Sequence, residues 1–67
     1  MNTYLVTIHL EGGGSASIKQ TANDDAALAA AARNAMNGAD PMLTLAFQDG
    51  RLEVRRDKVI GWSVSRA

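Results

Sequence analysis

The stretch DDAALAAAARNAM, residues 24–36, holds seven alanines, and only Leu28 and Met36 add larger apolar side chains. Alanine has the highest helix propensity, so the segment reads as a helix. Yet a helix faced with methyl groups brings little bulk to a core. In a chain of 67 residues without cysteine, the bulk must come from elsewhere and no disulfide supplements it. The constraint is therefore strict: one slender helix lying close to strands that carry the large residues. Small groups against large ones let a thin core reach native density.

The strands are legible on both sides of the helix. TYLVTIHLE alternates, with Tyr4, Val6, Ile8 and Leu10 on one face and Leu5, Thr7 and His9 on the other. The glycines 12–14 break it, and SASIKQT follows with Ala16 and Ile18 on the core side and Ser15, Ser17 and Lys19 opposite, so the two form a hairpin. Thr21 or Asn23 is expected to cap the helix, with Asp24 and Asp25 in its first turn. Leu28, Ala31, Ala32, Ala35 and Met36 form its apolar stripe, Gly38 fits a left-handed C-terminal position, and Pro41 prevents continuation. MLTLAF and LEV flank Asp49-Gly50, a strong hairpin signal, with Leu43, Leu45, Phe47, Leu52 and Val54 on the core side. RRDK makes another polar turn before VIGWSVS, whose Ile60, Trp62 and Val64 are expected inward.

The predicted order is β-β-α-β-β-β. The fold class is α+β: a single domain, residues 1–67, with a four- to five-stranded, mainly antiparallel sheet and one helix packed on one face.

Composition narrows the function. Seven basic residues balance seven acidic ones, against the basic excess expected of a dedicated nucleic-acid binder. No apolar run approaches the roughly 20 residues of a membrane span, and the start MNTYLVTIHLEGGG lacks a basic leader, so the expected location is the cytoplasm and no membrane partner is expected. His9, the only histidine, stands mid-strand with no acid or nucleophile pattern near it in sequence. The triple glycine precedes a strand, whereas a phosphate cradle opens a helix. Asp24, Asp25, Asp40, Asp49 and Asp57 lack the alternation of a calcium loop. No enzyme activity, metal or cofactor is expected.

Two surfaces are left unexplained by folding. RLEVRRDK gathers Arg51, Arg55, Arg56 and Lys58 with Glu53 and Asp57, either as a docking patch for an acidic partner or phosphates, or as a solvated edge that resists aggregation. The second sheet face should carry Leu5, Thr7, Ser15, Ser17, Thr44, Ala46, Val59, Gly61 and Ser63, because one helix covers one face only. That face is small and mildly polar, suited to a partner or a second copy. Thr7 and Ser17 represent it among the expected partner-binding residues, beside the four basic residues of the hairpin.

The MNTYLV start, the hairpin, DDAALAAAARNAM and LTLAFQDGRLEVRRDKVIGW resemble in layout the small phage-encoded accessory proteins of the anti-CRISPR type. The resemblance implies a stand-alone protein that blocks a host defence complex by binding it, in the host cytoplasm. The expected function is therefore a non-enzymatic protein-binding module and inhibitor, with a homodimer as the alternative use of the second sheet face. The alternatives are a homo-oligomeric phage or bacterial assembly protein, and a nucleic-acid-binding module using the 51–58 hairpin.

Overall fold

A computed structural model describes residues 1–48 and 50–67. Strands β1 (Asn2–Leu10) and β2 (Ser15–Ala22) precede helix α1 (Ala26–Met36). Strands β3 (Met42–Phe47), β4 (Gly50–Arg55) and β5 (Val59–Arg66) follow it. The fold is α+β in the expected order. The five strands divide into two antiparallel sheets, β2-β1-β5 and β3-β4.

The glycine turn shows why glycine is needed there. Gly12 and Gly13 take φ of 84° and 88°, where a side chain is strained, and the Leu10 N–H donates to the Gly14 carbonyl at 2.8 Å to close the loop. Antiparallel pairing then runs from His9↔Ser15 to Asn2↔Ala22. Because β2 continues to Ala22, Thr21 is still in a strand and does not cap the helix. Asp25 takes the N-cap position without a side-chain hydrogen bond, and Asp24 before it closes the turn into the helix, its Oδ1 accepting from the Ala26 N–H at 3.0 Å.

The core lies between the sheets. Val6 and Ile8 of β1, Leu43 and Leu45 of β3, Leu52 of β4, and Leu28 and Ala32 of the helix are buried. Burying a side chain such as Ile8 stabilises by about 1.5–3 kcal/mol, and truncating it to alanine costs about 2–5 kcal/mol. The helix thus covers the inner face of β2-β1-β5 jointly with the β3-β4 hairpin. Thr44 and Ala46, expected on the same outer face as Thr7, belong instead to the separate hairpin, where they pair with Glu53 and Arg51. That hairpin pairs from Met42↔Arg55 to Phe47↔Gly50. Asp49 of the expected turn lies outside the described residues.

One strand face reverses locally. Ile60, expected inward, is 67% exposed, while Val59, expected on the outer face, packs against the core. The cause is a register shift: His9 pairs with Gly61 but Leu10 pairs with Val59, leaving Ile60 as a bulged residue. A bulge shifts the alternation by one, which exchanges the faces of the residues beyond it. Trp62 and Val64, on the other side of the bulge, keep their expected core side and are half-buried.

The helix also ends differently from expectation. Asn37 and Gly38 are not left-handed: Asn37 has φ of −84°, and the positive-φ glycines are Gly12 and Gly13. Gly38 is instead a point of close approach, since a Cβ there would lie 2.7 Å from Nη2 of Arg56.

Candidate functional site

The open face of β2-β1-β5 is built by strand alternation. Val6 and Ile8 point to the core, so Leu5, Thr7 and His9 point away from it. Register extends this to the neighbours: Leu5 sits between Lys19 and Ser65, Thr7 between Ser17 and Ser63, and His9 between Ser15 and Gly61. Thr3 and Thr21 continue the face at one end. The result is a flat array of small hydroxyl side chains with Leu5 near its middle, and Lys19 as its long charged residue.

Those hydroxyls are cross-linked. Thr7 Oγ1 and Ser17 Oγ are 3.0 Å apart, and His9 Nε2 and Ser63 Oγ are 3.1 Å apart, both pairs exposed. The expected residues Thr7 and Ser17 are therefore direct neighbours. The histidine–serine contact spans 54 positions in sequence, so alternation alone could not reveal it. It is exposed on the open face, and no acidic side chain is hydrogen-bonded to His9 among the described residues.

The charged hairpin is organised differently. Arg51 pairs with Glu53 at 2.8 Å, Arg55 with Asp57 at 3.1 Å, and Lys58 with Glu11 at 3.7 Å, all through exposed side chains. Pairs of this kind add little stability, but each cancels the local field of its cation. Arg56 is engaged with backbone. Its Nε donates to the Asp40 carbonyl at 2.6 Å, and its Nη1 to the carbonyls of Ala35 and Met36. It reaches the Met36 carbonyl and reinforces that of Ala35, which also accepts from the Gly38 N–H at 3.3 Å, and its charge complements that end of the helix dipole. Arg56, one of the expected partner-binding residues, thus also braces the second polar turn against α1. Beside the brace lies an open depression of about 350 Å³ lined by Ala39, Asp40, Pro41, Arg55, Arg56 and Asp57.

Among the described residues, no helix is long and apolar enough to cross a membrane. No group of three or more acidic or histidine side chains is placed to hold a metal ion there. No family model, curated protein or solved structure matches the chain.

Proposed function

We propose that this chain is a non-enzymatic protein-binding module that docks its partner on the open face of β2-β1-β5. The observation that carries this reading is the character of that face. An antiparallel sheet that leaves one face in water usually clothes it in long charged side chains. Here Thr7, Ser17, Ser63 and Ser65 form a flat, short-chained surface around Leu5, with exposed hydroxyls that exchange hydrogen bonds with a partner at little entropic cost. The 51–58 hairpin supports docking less, because Arg51, Arg55 and Lys58 are each beside an acid and Arg56 braces the helix.

In its concrete form the module blocks a host defence complex by direct binding in the cytoplasm, the mode that the layout resemblance to anti-CRISPR-type proteins implies. Capture of a partner from bacterial lysate on immobilised protein tests the reading when three variants are compared. Thr7→Arg and Ser17→Arg should each abolish capture with the melting temperature nearly unchanged, whereas Arg55→Glu should retain it. Capture lost with Arg55→Glu and kept with both arginine variants would transfer the site to the hairpin.

A further inference from the structure

The edges of the two sheets are unequally protected. β2 has Lys19 on its outward face and lies beside β4, and β4 alternates Arg51, Glu53 and Arg55. Charges and neighbours of that kind discourage strand addition. β3 is uncharged but is only six residues long, and the helix packs against both β3 and β5. β5 is different. Its eight residues VIGWSVSR carry one charge, Arg66 at the far end, and it pairs on one side only, with β1.

The direction of its free peptide groups follows from one bond. The Ala67 N–H donates to the Thr3 carbonyl at 3.0 Å, which makes Thr3–Ala67 a hydrogen-bonded pair. Antiparallel ladders alternate, so Ser65 and Ser63 also turn toward β1, and Arg66, Val64 and Trp62 turn their N–H and C=O groups outward. Among the described residues, none of those outward groups has a hydrogen-bond partner.

We propose that β5 is a self-association edge, at which a second copy of this chain adds its own β5 antiparallel to form a continuous six-stranded sheet. Self-complementarity commits the site to that occupant. A two-fold axis through Ser63 pairs Trp62 with Val64 of the second copy and Val64 with its Trp62. Outward peptide groups then meet outward peptide groups. The same register brings the half-buried Trp62 and Val64 together across the seam, an aromatic–β-branched pair on the core side of each copy. It sets Arg66 against the exposed Ile60 rather than against Lys58, so no like charges face one another. The Ile60 bulge ends the pairing at that point. The contact is small, below about 1,200 Å² in total, and gives a weak, concentration-dependent dimer. Both copies present their hydroxyl faces on the same side, doubling that surface. The dimer does not require a partner and is tested without one.

The test is sedimentation of the purified protein over about 1 μM to 1 mM, with hydrogen exchange measured at both ends of the range. A monomer–dimer equilibrium is expected, with the amides of Trp62 and Val64 gaining protection at high concentration. Across the two-fold the Ser63 Cβ atoms would stand about 4.5–5.5 Å apart, so Ser63→Lys should weaken the dimer about tenfold or more, and mixing it with Ser63→Glu should restore association. A monomer throughout the range overturns the proposal. So does a dimer in which those two amides stay unprotected, since that is face-to-face packing. A dimer indifferent to Ser63→Lys overturns the two-fold register.

Discussion

Replacing Arg56 with alanine removes the brace at the end of α1. Its guanidinium contacts three carbonyls, those of Asp40, Ala35 and Met36, of which the two helix contacts are half-buried. A hydrogen bond from a charged donor contributes about 1.5–3 kcal/mol; Nη1 divides one such contribution between the two helix carbonyls and the exposed Asp40 contact adds little, so Arg56→Ala should cost about 2–3 kcal/mol in all. For a domain of this size that lowers the melting temperature by roughly 10–20 °C. The sharper test uses Gly38. A methyl group there would approach Nη2 of Arg56 to 2.7 Å. A free arginine would swing aside at small cost, but this one must release its carbonyls to do so. Gly38→Ala should therefore cost about 1–2 kcal/mol in the native background. With Arg56→Ala already present it should be neutral or stabilise by about 0.4–1 kcal/mol, as glycine-to-alanine changes do where the backbone tolerates them. Urea denaturation of the four proteins at constant m-value gives the coupling energy. A coupling below about 0.5 kcal/mol would refute the brace, because it would mean that Gly38 and Arg56 act independently.

Trp62→Ala should destabilise by about 2–3 kcal/mol, less than the 3–5 kcal/mol of a fully buried tryptophan because the ring is half-buried; an unchanged denaturation midpoint would place it outside the core. Ala32, fully buried, should tolerate leucine poorly, losing about 1–3 kcal/mol, while Asn34→Leu on the exposed side should be nearly neutral, and equal effects would assign the stripe to the wrong face. Gln20 Oε1 is buried without a hydrogen-bond partner, so Gln20→Met should raise stability by about 1 kcal/mol in thermal melts; a clear loss would show that the amide is satisfied in solution.

The element order and the core were written in local pattern. Alternation in β1 alone separates Val6 and Ile8 from Leu5 and Thr7, and both assignments hold because a strand's side-chain period is fixed by its backbone. The alanine stripe likewise placed Ala32 in the core, since helical spacing leaves one face to bury. What alternation cannot supply is an interruption of itself. The bulge at Ile60 depends on how β5 registers against β1, fifty residues earlier in the chain, and so Ile60 and Val59 exchange faces without any local signal. The role of Arg56 is equally non-local. In sequence it is one basic residue in a charged turn; only the close approach of that turn to the end of α1 makes it the partner of carbonyls about twenty residues away. The open hydroxyl face was legible residue by residue, but its extent was not, because the division of five strands into two sheets removed Thr44 and Ala46 from it. Sequence determines which side of its own strand or helix a residue occupies; tertiary pairing decides which strands are neighbours, and so which of those sides meet.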